Sequence, residues 1–101
     1  MSDRPQQSEF VRKVGELILF ATQIGYELTF GDAWAKTGHK ADSFHYRRLA
    51  IDLNLFKDGV WLRKTEDHQL LGMFWKSIGG TWGGDWPGKR ADGNHYSWGE
   101  V

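Results

Sequence analysis

The stretch SFHYRRLAIDL, Ser43 to Leu53, decides the fold. From Leu49 onward the apolar residues alternate (Leu49, Ile51, Leu53, Leu55), the two-residue period of a strand with one buried face. Ala50, Asp52 and Asn54 take the other face. Asp52 is therefore a carboxylate in an apolar strand, which is costly unless a positive group pairs with it. An imidazole, His45, stands seven residues earlier. Seven is odd, so a straight strand would put His45 and Asp52 on opposite faces. They reach a common point only if His45 precedes the strand proper and the chain bends near Arg47 and Arg48.

Working outward, Phe10, Val14, Leu17, Ala21 and Ile24 recur at helical spacing, with Val11 and Ile18 widening the stripe. Ser8 offers an N-cap oxygen and Gly25 a stop, which predicts a helix over Glu9–Gln23 after a frayed 1–7. Tyr26–Phe30 alternates as a strand, and Asp32–Lys36 has room for one helical turn. Lys57-Asp58-Gly59 is a turn signal, and Val60–Leu62 returns as the second arm of a hairpin. Thr65 can cap a second helix whose apolar face is Leu70, Leu71, Phe74, Trp75 and Ile78, ended by Gly79-Gly80. TWGGDWPGKRADG, 81–93, reads as loop, and NHYSW, 94–98, as a short final strand. The order α, β, loop, β, β, α, loop, β predicts an α+β fold: a small antiparallel sheet packed with two main helices.

Bulk properties narrow the function. A length of 101 residues favours one domain with one modest core. Thirteen basic and thirteen acidic residues give zero formal net charge, against a general nucleic-acid binder. With no cysteine, disulfides, thiolate metal sites and a cysteine nucleophile are excluded. The N-terminus MSDRPQQSEF lacks the pattern of a signal peptide, and LILFA is too short to cross a bilayer. The expectation is synthesis in the cytoplasm, without membrane insertion.

Four histidines are present. His39, in a polar loop, reads as exposed, and His68, at the start of the second helix, as structural. His45 and His95 each stand near carboxylates and beside apolar strands. Without thiolates, zinc takes nitrogen and oxygen ligands, and a catalytic site uses three and leaves one position open. His45, Asp52 and His95 are a candidate set that would give Asp52 its positive partner; on spacing alone, satisfied core or surface histidines are the commoner outcome of such a pattern. Asp92 and His95 converge only if Asp92-Gly93-Asn94 turns, which Gly93 and Asn94 favour. Trp82 and Trp86 lie among glycines, either as pins of a bent loop or as a cleft wall.

Ser43-x-His45-x6-Asp52, followed downstream by Asp92-x-x-His95, resembles the M15 family of zinc peptidases. That family includes D-alanyl-D-alanine carboxypeptidases and dipeptidases and the L-alanyl-D-glutamate endopeptidases of phage endolysins. SFHYRRLAIDLNLFKDG, LGMFWKSIGGTWGGDW and DGNHYSW follow the phage group's pattern in order, over roughly Phe10 to Trp98. The resemblance implies the zinc DD-peptidase (Hedgehog/DD-peptidase-like) fold and one zinc ion on His45, Asp52 and His95. It implies Asp92 as general base, with Ser43, Lys36 and Trp82 as substrate-binding candidates. It further implies a monomeric endolysin, a single catalytic domain over 1–101 with no wall-binding domain, made in a host cytoplasm and acting on peptidoglycan after release. Zinc and Asp92 would activate a water for attack on a stem-peptide amide. Alternatives are a D,D-carboxypeptidase or dipeptidase, or a non-catalytic wall-binding or virion-structural module. The chain departs from the family at Ala35, where an arginine is expected, and at Arg48, where part of the family has glycine. Lys36, beside Ala35, offers a point charge but no bidentate fork.

Overall fold

The structure is a computed structural model that describes residues 3–35, 37–38 and 42–100. Helix α1 spans Arg4–Gln23, β1 Glu27–Phe30, β2 Ala50–Lys57, β3 Val60–Leu62, α2 Gln69–Ser77, β4 Thr81–Trp82 and β5 His95–Ser97. All pairings are antiparallel, in the order β1-β2-β5-β4, with β3 also on β2. The fold is α+β, as the alternation of elements predicts.

Strand β2 organises the sheet. Its residues 53–56 pair with β1. On the opposite edge, 55–57 pair with β3 and 50–52 with β5, so two short strands share one edge in succession. Leu49, Ile51, Leu53 and Leu55 are buried against the helices, and the period-2 reading holds. The β2–β3 turn puts Asp58 and Gly59 at φ 52° and 78°, the left-handed pair that a two-residue hairpin needs.

Helix α1 starts earlier than expected, at Arg4, within the stretch expected to fray. Pro5 suits the first turn, where its missing N–H costs nothing. The Arg47 guanidinium grips both oxygens of Asp3, at 3.0 and 3.1 Å, and Gln7 Nε2 donates to Arg47 O. Phe10, Val14, Leu17 and Ala21 are buried, but Val11 and Ile24 are exposed. No helical turn forms over 32–35.

The second helix also differs from its prediction. A 3-10 turn, Thr65–His68, precedes α2, so Thr65 is not its cap; its hydroxyl accepts from Gly93 N instead. The turn shifts the buried face to His68, Leu71, Gly72 and Trp75, and leaves Leu70 exposed. Gly72 is there for space: a Cβ would lie 2.2 Å from the Trp82 indole. The 81–93 segment is more ordered than a loop, holding β4 and two 3-10 turns. Trp75 is the hub of the core. Its ring meets Phe10, Tyr96 and Trp98 edge-on, and its Nε1 donates to Thr81 O and Ser97 O at 3.1 and 3.0 Å. Thus a polar tip inside the core is fully satisfied. No described helix is long and apolar enough to cross a membrane.

His68 is a core histidine, as expected, with Nδ1 2.9 Å from Tyr96 Oη. Burial lowers its pKa from 6.5 to about 4, against a smaller upward pull from Asp67. The unfolded chain therefore takes up this proton at higher pH than the folded one. Stability from this group is complete above pH 6.5 and is lost as pH falls toward 4. At ~1.36 kcal/mol per pH unit the difference is about 3 kcal/mol. In metal-free protein, His68→Gln is expected to flatten the loss of stability between pH 6.5 and 4. Urea unfolding across that window checks this, and parallel curves for the two proteins would refute it.

Candidate metal centre

Three segments bring His45, Asp52 and His95 together. The bend that the odd spacing demands is present. His45 lies in a 3-10 turn, Phe44–Arg47, which ends at Arg48 in the left-handed region (φ 59°) before β2 begins. An arginine thus occupies a conformation that favours glycine. The Ser43 hydroxyl caps the turn by accepting from His45 N at 3.2 Å. Ser43 is buried, so the structure gives this proposed substrate contact a local role in placing His45.

Asp52 is held by its backbone. Its N donates to Asp32 O at 2.9 Å and its O accepts from Gly31 N at 2.7 Å. Across the sheet Asp52 pairs directly with His95, so their side chains leave the same face. The turn before His95 is fixed on several sides: His95 N to Asp92 O, Asp92 N to Gly83 O, Gly93 N to Thr65 Oγ1, and Trp82 Nε1 to Gly93 O. Gly83 must be glycine here, because a Cβ would sit 2.4 Å from Asp92 O.

One atom is the focus. Asp52 Oδ1 lies 3.2 Å from His45 Nε2 and 3.5 Å from His95 Nδ1, and the candidate ligand atoms of the three residues all fall within 4.8 Å of one another. Asp52 Oδ1 is buried and makes no hydrogen bond of good geometry. Ligands about 2.0–2.1 Å from one tetrahedral zinc stand about 3.4 Å apart. The two measured edges bracket that spacing, and the donor set suits zinc, so these residues fit the ion. Without metal the same groups form an ion pair. Burial pushes the Asp52 carboxyl up, but His45 and His95 outweigh it and hold it at about 2. Burial pushes His95 down, but Asp52 and Glu100 raise it to about 9.

Other site residues from the sequence fare differently. Trp82 is buried between Gly72 and Gly84, and its Nε1 donates to Gly93 O, which gives it a structural role in pinning the 92–95 turn. The aromatic at the centre is Trp86, half-buried, with its ring 4.8 Å from that of His95. Asp92 lies outside the three-residue cluster and lines a cavity of about 270 Å³, together with Asn54, Trp61, Arg63, Thr65 and Asn94. Lys36 and His39 fall outside the described residues. Sequence reasoning missed Glu100, whose Oε1 lies 2.8 Å from His95 Nε2.

A small α+β domain thus brings together a His–Asp–His cluster that could hold a metal ion. A family model described as D-alanyl-D-alanine carboxypeptidase matches residues 37–98, from ahead of His45 to just past His95, and the chain belongs to this M15 peptidase family. Peptidases of this family are zinc-dependent hydrolases, and the family implies a peptidoglycan-related substrate. No curated protein matches the chain.

Proposed function

We propose that the chain is a catalytic domain that hydrolyses an amide bond in peptidoglycan stem peptides, as an L-alanyl-D-glutamate endopeptidase of the phage endolysin kind. The observation that carries a metallopeptidase is the single buried oxygen, Asp52 Oδ1, between two imidazole nitrogens at 3.2 and 3.5 Å. His45, Asp52 and His95 would hold one zinc. When bound, zinc supplies Lewis acidity and brings the pKa of a water from ~15.7 to roughly 7. Asp92 would serve as the general base, accepting a proton from the attacking water and returning it to the leaving amine. Trp86 shields the His95 side of the centre. The finer assignment rests on aspartate at position 92 and on the RLA that follows Arg47, both similar to the phage group. Such an enzyme acts on the wall after release from the cytoplasm, as a monomer.

A second reading is favoured by the description of the matching family, a D-alanyl-D-alanine carboxypeptidase. The two differ in product. An endopeptidase exposes new amino groups on D-glutamate, whereas a carboxypeptidase releases free D-alanine. Purified peptidoglycan incubated with zinc-loaded protein, with and without chelator, and followed by mass spectrometry separates them. New D-glutamate amino termini that vanish with chelator are the expected result. Free D-alanine would transfer the assignment to the carboxypeptidase, and no product at all would leave a non-catalytic wall module.

A further inference from the structure

We propose that Glu100 is a positioning residue of the metal centre, holding the His95 imidazole so that Nδ1 is the atom turned toward Asp52. This rests on the zinc reading above. Glu100 lies beyond residues 37–98, the span of the family match, and comes five residues after His95. Nothing in the motif spacing points to it.

The geometry is specific. Glu100 Oε1 and His95 Nε2 are 2.8 Å apart, and both residues are over nine-tenths buried. A carboxylate offers only acceptors, so the hydrogen of a neutral imidazole resides on Nε2. The Nδ1 lone pair is then free to bind a cation, and Nδ1 is the atom 3.5 Å from Asp52 Oδ1. One hydrogen bond therefore fixes both the tautomer and the ring rotation. It also makes Nδ1 more basic, which strengthens a metal bond.

Glu100 is itself held in place. After β5 the chain bends at Gly99, whose φ of 87° lies in the region that favours glycine, and this returns Glu100 to its own strand. Trp98 N donates to Leu49 O at 3.0 Å, and the Glu100 carbonyl accepts from the Thr81 hydroxyl. The carboxylate is thus built into the sheet edge.

The test combines zinc affinity and nitrogen NMR. Zinc affinity is measured by competition with a chromophoric chelator. Glu100→Ala is expected to bind zinc about 10- to 100-fold more weakly than wild type. Glu100→Gln, which keeps an acceptor oxygen at the same reach, should recover part of that loss. In zinc-loaded wild type, 15N spectra should show His95 metal-bound through Nδ1 and protonated at Nε2. Coordination through Nε2 would overturn the proposal, and this measurement decides the matter even if Glu100→Ala does not fold. A folded Glu100→Ala with wild-type zinc affinity would overturn the positioning role alone. A wild type that binds no zinc would remove the metal reading and this role together.

Discussion

His95→Ala and His45→Ala are each expected to lose bound zinc and peptide hydrolysis together. Each removes one corner of a three-ligand cluster, and no described histidine, cysteine or acid joins the cluster as a fourth. A metal contributes several kcal/mol of charge stabilisation in such a reaction. At ~1.36 kcal/mol per tenfold in rate, the loss is about 10³-fold or more. His95→Ala has a second cost, because it strips both Asp52 and Glu100 of the imidazole between them. Asp52 keeps His45, but Glu100 is a buried carboxylate that loses its imidazole contact, so this variant should also unfold at lower denaturant than His45→Ala. Metal analysis after dialysis, together with the rate of amino-group release from peptidoglycan, checks the main claim. Stoichiometric zinc in either variant would remove that residue from the ligand set.

Asp92→Asn is expected to behave in the opposite way: zinc retained, turnover lost. The amide has nearly the size and shape of the carboxylate. Backbone groups of the turn that carries Asp92 are held by Gly83 O, Thr65 Oγ1 and Trp82 Nε1, and these bonds survive the substitution. Fold and metal cluster should therefore survive. Asparagine cannot take a proton from water, and loss of a positioned general base costs roughly 10²- to 10⁴-fold. KM should change little while kcat falls. Zinc loss in this variant would mean that base and ligand had been interchanged.

The parts of this molecule legible in its sequence are those that repeat with a period. Leu49 to Leu55 shows the alternation of a half-buried strand, and all four apolar residues are buried. The odd interval from His45 to Asp52 required a bend, and Arg48 supplies it. The second helix shows where this approach stops. Counting apolar residues selected Leu70, yet the buried position is Gly72, because the face is decided by what it meets, the flat ring of Trp82. A glycine used for space carries no hydrophobic signal. Glycines around Trp82 leave two readings open in the sequence, a pinned loop or a cleft wall, and it is the close packing of Gly72 and Gly84 on a buried ring that favours the pin. Trp86 and Glu100 reach His95 through an irregular loop and a left-handed bend, neither of which has a period to detect.

The direct pairing of Asp52 with His95 has a consequence for folding. Side chains alternate across a strand, so a slip of one residue between β2 and β5 would carry His95 to the far face of the sheet. The cation trap exists only in the native register, and it joins chain positions more than forty residues apart. An ion captured there selects the correctly zipped sheet from its near misses, stabilising it by about 2.7 kcal/mol at a hundredfold excess over Kd. In a protein without cysteine, an ion on these three residues would act as a reversible cross-link, and metal uptake would proofread the alignment of the strands.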